Sequence, residues 1–194
     1  MMTPLRCLTA GFSMATLAVL CPAAPAADAP KWQPPPPIAE PAVTLVPRPK
    51  MVVWERDTFV LTARTPVYYS NDAAKAEAET LAAKLRAATG LPIQALPVSA
   101  RGRGQIGAIC LDLEPSFEAH GGKEGYMMSV GGGGVRIGAG TATGLTNGGK
   151  ILLQLLPAAG TANPKTGAVR WTMPCGKLAD LPGMPDEVKS LKRE

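Results

Sequence analysis

The segment from Gly144 to Ile151, GLTNGGKI, comes closest in this chain to a binding motif. It matches the phosphate-binding loop G-x-x-x-x-G-K-[ST] at every position except the last. In that loop the final hydroxyl holds Mg²⁺, and Ile151 has no hydroxyl. We therefore predict no nucleotide site. We expect the glycines to let the start of a helix pack close to a sheet, while each weakens the helix by about 1 kcal/mol at an interior position.

An adjacent acidic pair, Asp186 and Glu187, is the second candidate for chemistry. Glycosidases use paired carboxylates, one of which is kept protonated by its surroundings. Here the pair follows Pro185, and little apolar sequence is near enough to raise a pKa. Acidic residues followed by basic ones suit the two ends of a helix dipole. The pattern favours the first turn of a short terminal helix over a catalytic pair.

His120 is the only histidine, with Ser116 and Asp112 shortly before it. No nucleophile-elbow or oxyanion-hole motif accompanies these three residues. We expect the segment from Glu114 to Glu124 to be a solvated polar loop. A single histidine, with no CxxC motif and no Cys/His cluster, also argues against a metal site. The sequence therefore predicts no catalytic, cofactor-binding or metal-ligating residue.

Aromatic side chains are the remaining possibility, because they can stack on sugar rings. The candidates are Trp54, Tyr68, Tyr69 and Tyr126. All four lie in predicted strands, where packing in the core is their commoner role.

Two cysteines, Cys110 and Cys175, lie beyond the N-terminal segment. They could pair in an oxidising compartment. The apolar neighbours of Cys110 instead indicate a small buried residue. The sequence leaves pairing open.

Charge gives little support for a nucleic-acid partner. The formal net charge is +5. The dense basic patches are Arg101–Arg103 and the tail from Lys189 to Arg193, and neither alternates with aromatic residues. Solvated surface is the simpler interpretation of both.

The first residues are typical of an export signal. Arg6 precedes an apolar run from Leu8 to Leu20, which is shorter than the roughly 20 residues that span a membrane. Ala24-Pro25-Ala26 fits a cleavage site with small residues. We predict a signal peptide over residues 1–26, with export to the periplasm or the extracellular space and no transmembrane segment.

A lipid anchor at Cys21 is the alternative form of export. The bulky Leu20 precedes Cys21 where lipidation favours a small residue, so we expect a soluble exported protein. Residues 27–42, with prolines at 34–37, form a Pro-rich linker of polyproline type.

The remaining chain alternates strand and helix patterns, and 46% hydrophobic residues supply a core. Strands are predicted at residues 51–54, 58–62, 66–69, 93–98, 105–113, 126–130, 135–139 and 169–173, and helices at residues 72–89 and around Ile151–Leu156. This order predicts an α+β domain over residues 43–174, with a mainly antiparallel sheet and two helices packed on one face. Residues 175–194 are assigned to a linker remnant and a charged tail.

Several segments together resemble the bacterial β-N-acetylhexosaminidases of glycoside hydrolase family twenty. They are Val46–Lys50 with Phe59–Leu61, the helix from Ala73 to Thr89 with Gly90-Leu91-Pro92, Glu124–Val130, Val135–Ile137, and Gly144-Leu145 with Leu152–Pro157. Their order and spacing cover residues 43–182.

The resemblance is to the N-terminal accessory domain, which in the family packs beside a catalytic (β/α)8 barrel. The family's barrel removes terminal N-acetylhexosamine, using the substrate's own acetamido group and an adjacent Asp–Glu pair. No barrel follows in this chain. Asp186-Glu187 lacks the position and context of the family's pair, so no catalytic residue is carried over.

The sequence departs from the family at two places. Leu178–Pro182 is similar to the family's interdomain linker, but Gly183–Asp186 replaces the arginine-containing entry to the barrel. The family has aromatics at positions 146 and 147, and Gln-Thr where Lys150 and Ile151 stand.

The resemblance implies an exported, non-catalytic accessory domain of β-N-acetylhexosaminidase type, truncated before the barrel and inactive alone. Its partner would be a barrel encoded separately or lost. The alternative is a stand-alone module that binds an N-acetylhexosamine-containing glycan or another protein.

Overall fold

The computed structural model describes residues 38, 40–98, 106–162 and 169–182. They form an α+β domain without a (β/α)8 barrel in the described part, as the sequence predicts. The strands are β1 (Met51–Leu61), β2 (Val67–Tyr69), β3 (Ala95–Pro97), β4 (Ala108–Leu113), β5 (Tyr126–Gly131), β6 (Gly134–Ala139), β7 (Thr161–Ala162) and β8 (Val169–Asp180). The helices are α1 (Asp72–Thr89), α2 (Glu118–Gly121) and α3 (Ala142–Gln154).

One sheet carries the domain, with the strand order β1-β8-β5-β6-β4-β2-β3. The β1, β8, β5 and β6 strands pair antiparallel with their neighbours. The pairs β6–β4, β4–β2 and β2–β3 are parallel. The short β7 pairs with the start of β8. The prediction of a mainly antiparallel sheet is confirmed, although the half next to α1 is parallel.

Both long helices bury their apolar sides in one cluster with the same face of the sheet. On α1, Ala74, Ala78, Leu81, Ala82 and Leu85 are buried. On α3, Leu145, Ile151 and Leu152 are buried. The alternate residues of β4, β5 and β6 complete this core. The predicted arrangement of two helices on one face is therefore confirmed, with α2 as an additional short helix.

The ends of α1 follow from its sequence. Asn71 caps the N-terminus, since its Oδ1 accepts the Ala74 N–H at 3.1 Å. Gly90 ends the helix with φ at 73°, in the left-handed region that favours glycine. The predicted bounds of α1 are confirmed. Ala88 follows the same helical spacing as the buried residues but is exposed, so the buried face of α1 ends at Leu85.

Two predicted strands around a turn at residues 55–57 are in fact the single strand β1. Its pairing register with β8 shifts between Trp54 and Thr58. Three residues of β1 there oppose one residue of β8, which is a β-bulge. The polar segment 55–57 therefore interrupts the ladder without ending the strand.

The last strand is longer than predicted. The pattern places its end at Met173, whereas β8 continues to Asp180 and buries Cys175, Leu178 and Ala179. Residues 175–180, which the sequence assigns to a linker, therefore lie in the sheet. Pro174, which has no N–H to donate, pairs with Thr58 at the β1 bulge, where a missing ladder hydrogen bond is tolerated.

The predicted polar loop between β4 and β5 contains a 3₁₀ turn and α2. It packs closely on its surroundings at glycines. A Cβ on Gly125 would overlap the carbonyl group of Gly121, and a Cβ on Gly140 would overlap the Glu118 backbone. The loop is thus folded, although Ser116 and His120 are exposed as expected.

Candidate functional site

The glycine-rich motif at residues 144–151 lies inside α3. Thr141 caps this helix, since its Oγ1 accepts the Gly144 N–H at 3.1 Å and donates to the Lys123 carbonyl oxygen. The Leu145 N–H is bonded to the Thr141 carbonyl oxygen at 3.1 Å. In a phosphate-binding loop such N–H groups point at the ligand instead. The backbone here has the geometry of a helix, not of a phosphate cradle.

The glycines of α3 allow it to lie close to the sheet. A Cβ on Gly148 would lie 2.5 Å from Ile137 Cγ2 and 3.3 Å from the Tyr126 ring. A Cβ on Gly144 would overlap the Gly125 carbonyl oxygen and lie 2.8 Å from Ala139 Cβ. The prediction that these glycines serve close packing is confirmed.

A cavity of about 400 Å³ opens beside α3 in the described part of the chain. We call it the α3 cavity. Its walls are Pro47, Glu124, Tyr126, Asn147, Lys150, Asp180 and Pro182, with Gly125 and Ile151. It lies where the described chain ends, at Pro182.

The polar groups of the α3 cavity suit hydrogen bonding and ion pairing more than catalysis. Lys150 is exposed, while Asn147 is half-buried and donates to the Glu124 carbonyl oxygen at 3.2 Å. Burial, followed by the nearby Asp180 carboxylate, raises the pKa of the Tyr126 phenol far above its usual range. The Tyr126 phenol therefore stays neutral at physiological pH.

One wall of the α3 cavity is held by a side-chain clamp. Gln154 at the end of α3 accepts the Val46 N–H at 2.7 Å and donates to the Val46 carbonyl oxygen at 2.8 Å. This reciprocal pair fixes the segment before β1 and so positions Pro47. The sequence reasoning missed this clamp, since residues 46 and 154 are 108 positions apart and no local pattern links them.

His120, Ser116 and Asp112 are not assembled into a catalytic arrangement. No hydrogen bond joins His120 to Ser116 or Asp112 among the described residues. The Asp112 carboxylate instead lies 3.2 Å from Arg136 Nε, in an ion pair on the sheet face away from the helices. The described residues also contain no group of His, Cys, Asp and Glu side chains suited to a metal ion.

The four aromatic candidates divide into two groups. Tyr69 and Tyr126 are buried, at 9% and 3% exposed, so neither ring offers a face to a ligand. Trp54 and Tyr68 are half-buried. Trp54 packs partly on the core and lines a second, smaller cavity.

Cys110 and Cys175 are both buried and unpaired. They lie on β4 and β8, between which the sheet order places β6 and β5. Strands about 4.8 Å apart therefore separate them by roughly 14 Å, well beyond the reach of a disulfide. Burial raises the pKa of both thiols.

Five predictions fall wholly or mostly outside the described residues. They are the signal peptide over residues 1–26, most of the Pro-rich linker over residues 27–42, the basic patch 101–103, the acidic pair Asp186-Glu187 and the tail from Lys189. Within the described ranges, no helix has the length and apolar character needed to cross a membrane.

Comparison with known families matches residues 42–181 to glycosyl hydrolase family 20, domain 2. No curated protein sequence matches the chain significantly. The family match covers well over half of the chain. It runs from the segment that precedes β1 to the residue after the end of β8.

Solved structures of family 20 enzymes share the fold. The β-N-acetylhexosaminidase of Streptomyces coelicolor A3(2) matches with a TM-score of 0.53 and 29% identity, over 68% of this chain and 25% of that one. Streptomyces plicatus β-hexosaminidase with its product GlcNAc matches with a TM-score of 0.53 and 30% identity, over the same 68% and 25%. The exo-β-N-acetylglucosaminidase of Vibrio harveyi matches with a TM-score of 0.54 and 20% identity, over 73% of this chain and 20% of that one. At this identity the match supports the fold alone.

The chain thus spans a quarter or less of each of these enzymes. The matched part is the α+β domain whose sheet, glycine-packed α3 and α3 cavity are described above. On this evidence the chain belongs to glycosyl hydrolase family 20 and carries domain 2 of that family.

Proposed function

We propose that the chain is an exported accessory domain of β-N-acetylhexosaminidase type, which supports a catalytic (β/α)8 barrel and does not hydrolyse glycosides alone. The observation that carries the proposal is the family match to domain 2 over residues 42–181. The relatives named above are β-N-acetylhexosaminidases and an exo-β-N-acetylglucosaminidase, so terminal N-acetylhexosamine is the substrate class of the assembled enzyme.

The α3 cavity is the surface through which the domain docks on its barrel. It adjoins Pro182, the last described residue, and the polypeptide of a family 20 enzyme continues from this point towards the barrel. Lys150, Asn147 and Glu124 surround it with donors and acceptors. Half-buried Leu153 lies on α3 and half-buried Leu156 follows the end of this helix, so both add apolar surface. A polar rim around partly buried apolar residues is typical of a domain interface.

Lys150 weakens this docking relative to other family members. It is exposed on α3 and lines the cavity, at a position where the resemblance places glutamine. A lysine that becomes buried at an interface must lose its hydration or find an acidic partner. The Lys150→Gln substitution should therefore strengthen contact with a family barrel.

A chimeric enzyme tests the docking proposal. Residues 42–182 of this chain would replace the equivalent domain of the Streptomyces coelicolor enzyme. We expect a folded chimera that hydrolyses an aryl N-acetyl-β-glucosaminide and melts at a higher temperature than the barrel without any accessory domain. The proposal would be contradicted by a chimera that neither hydrolyses the substrate faster nor melts at a higher temperature than the isolated barrel.

Two lysine variants of the chimera locate the contact. Lys150→Gln should raise its melting temperature. Lys75→Gln is the matched control, since Lys75 is 53% exposed on α1, lies outside the α3 cavity and is only 3.9 Å from its Glu79 partner. Equal effects of the two substitutions would exclude the α3 cavity as the docking surface.

Export rests on the N-terminal sequence. A fusion of residues 1–42 to a phosphatase that is active only outside the cytoplasm should give active phosphatase. The Arg6→Glu variant should reduce that activity, because the signal requires a positive N-terminal region. Equal activity of a fusion that lacks residues 1–26 would contradict export by this signal.

A further inference from the structure

A second cavity, of about 250 Å³, lies between β1 and the segment that precedes it. We call it the Trp54 cavity. Its polar and aromatic walls are Glu40, Thr44, Arg48 and Trp54, and its apolar walls include Val43 and Val52. It involves none of the residues of the α3 cavity.

Trp54 gives this cavity an aromatic surface. Trp54 pairs with Gly176 across β1 and β8. A Cβ on Gly176 would lie 3.0 Å from Trp54 Cε3, so one side of the indole lies directly against the glycine backbone. The glycine thereby supports the ring, and the part of the half-buried side chain that remains uncovered lines the cavity.

Side chains of opposite charge line the same cavity as Trp54. Arg48 and Glu40 are both exposed, and neither side chain has a hydrogen bond or an ion pair with another described residue. Together they favour neither a simple anion nor a simple cation. Glu40 repels a phosphate or carboxylate, and Arg48 repels an ammonium group.

A neutral ligand with an apolar face and hydroxyl groups at its edge fits all of these walls. A sugar ring has this character, because its C–H face can stack on an indole while its hydroxyls donate to a carboxylate and accept from a guanidinium. We propose that the Trp54 cavity is a saccharide-binding site that holds one neutral sugar ring between Trp54, Arg48 and Glu40.

The size of the cavity sets the expected ligand and affinity. Sites for drug-sized ligands run from about 300 to 1,000 Å³, so 250 Å³ suits a single ring and not an oligosaccharide. A ligand of that size with a few hydrogen bonds is expected to bind with a Kd on the order of 1 mM. The site would hold the domain near glycan only when several copies or a second site act together.

Titration of the purified chain with neutral sugars tests the proposal. The probes are glucose, mannose, N-acetylglucosamine and the β-1,4-linked trimer of N-acetylglucosamine. The readout is the indole N–H signal of Trp54 in NMR spectra, assigned by its loss in Trp54→Phe. We expect a saturable shift of this signal with at least one probe, and none for the indole of Trp171, which is 8% exposed.

Charge variants make the test specific. Arg48→Met and Glu40→Gln should each weaken binding about tenfold, since each removes a charge-assisted hydrogen bond. Lys177→Met is the matched control. Lys177 is exposed and pairs with Val53, so it lies on the opposite face of the sheet from Trp54. It should leave the Kd unchanged. Thermal unfolding of each variant confirms that the fold is retained.

Two results would overturn the saccharide site. One is the absence of a saturable Trp54 shift with every probe at concentrations well above the expected Kd. The other is an equal loss of binding in Lys177→Met and Arg48→Met. Both are measured on the chain alone, so they stand apart from the outcome of barrel docking.

Discussion

Adjacent glycines on α3 predict opposite responses to the same substitution. Gly148 and Gly149 are both buried in the interior of the helix. Replacing either by alanine gains about 1 kcal/mol of helix propensity. The difference lies in what the new methyl group meets. At Gly148 it would lie 2.5 Å from Ile137 Cγ2, whereas at Gly149 its nearest neighbour is Leu81 Cδ1 at 3.6 Å.

The contact at Gly148 is too short to be relieved cheaply. Ile137 is fully buried and β-branched, so its χ1 angle is restricted, and the Tyr126 ring lies on another side. Overpacking a close-packed core costs about 1–3 kcal/mol. We expect Gly148→Ala to lower the free energy of unfolding by up to about 2 kcal/mol. The contact at Gly149 has ordinary van der Waals length, so Gly149→Ala should raise the free energy by about 0.5–1 kcal/mol.

Denaturant unfolding followed by circular dichroism measures both variants against the natural chain. The propensity gain is common to the two, so their difference isolates the contact with Ile137 and should be about 1–3 kcal/mol. Their m-values should agree. A Gly148→Ala protein as stable as Gly149→Ala would refute the view that Gly148 is required for close packing of α3 on the sheet.

Three further predictions follow from local contacts. Asn71→Ala should lower the free energy of unfolding by about 1–2 kcal/mol. Asn71→Asp should recover part of this loss, because aspartate keeps the cap but cannot make the 3.0 Å donation to the Leu113 carbonyl oxygen. Equal losses for the two variants in chemical denaturation would contradict this account of the cap. Gln154→Ala should speed hydrogen exchange of the Val46 amide by about tenfold, measured by NMR, and an unchanged rate would exclude the clamp. Burial, then Asp57 and Glu55, raise the pKa of Cys175 to about 11. The stability due to the neutral thiol is therefore present below pH 9 and is lost as the pH rises towards 11, by up to roughly 2–3 kcal/mol. Urea titrations over this pH range should show that Cys175→Ala lacks this loss. The same loss in the variant would count against the assignment to Cys175.

The parts of the fold that could be predicted are those whose signals are local. The bounds of α1 follow from Asn71, Gly90 and the helical period between them. The β5–β6 hairpin follows from alternating residues around a run of glycines. Its reversal falls at Gly132–Gly133, where a Cβ on Gly132 would overlap the carboxylate of Asp57 from the neighbouring bulge of β1. The requirement for glycine there is a tertiary contact that no local pattern shows.

The parts that were missed depend on pairing between distant segments. The polar residues 55–57 read as a turn, and Pro174 reads as the end of a strand. Both features lie inside strands because they are neighbours in the sheet. The β1 bulge lies next to Pro174 of β8, which pairs with Thr58. A bulge and a proline that compensate each other across strands leave no signal in either segment alone.

The α3 cavity was missed for the same reason. Pro47, Tyr126, Lys150 and Asp180 come from four separate segments, and their proximity depends on the whole sheet. The glycine motif of α3 was visible in the sequence. Ile151 has no hydroxyl to hold magnesium, so a phosphate-binding loop could be rejected and a packing role predicted for the glycines. Chemistry at a single position was therefore predictable, whereas the assembly of a site was not.

Hydrolysis by the purified chain alone tests the central claim most directly. The substrate is an aryl N-acetyl-β-glucosaminide, and the control is the Streptomyces coelicolor enzyme under the same conditions. We predict no turnover above the uncatalysed rate, because the proposed function assigns hydrolysis to a catalytic barrel and the family match of this chain is to domain 2. Sustained turnover that copurifies with the folded chain would contradict a non-catalytic accessory domain.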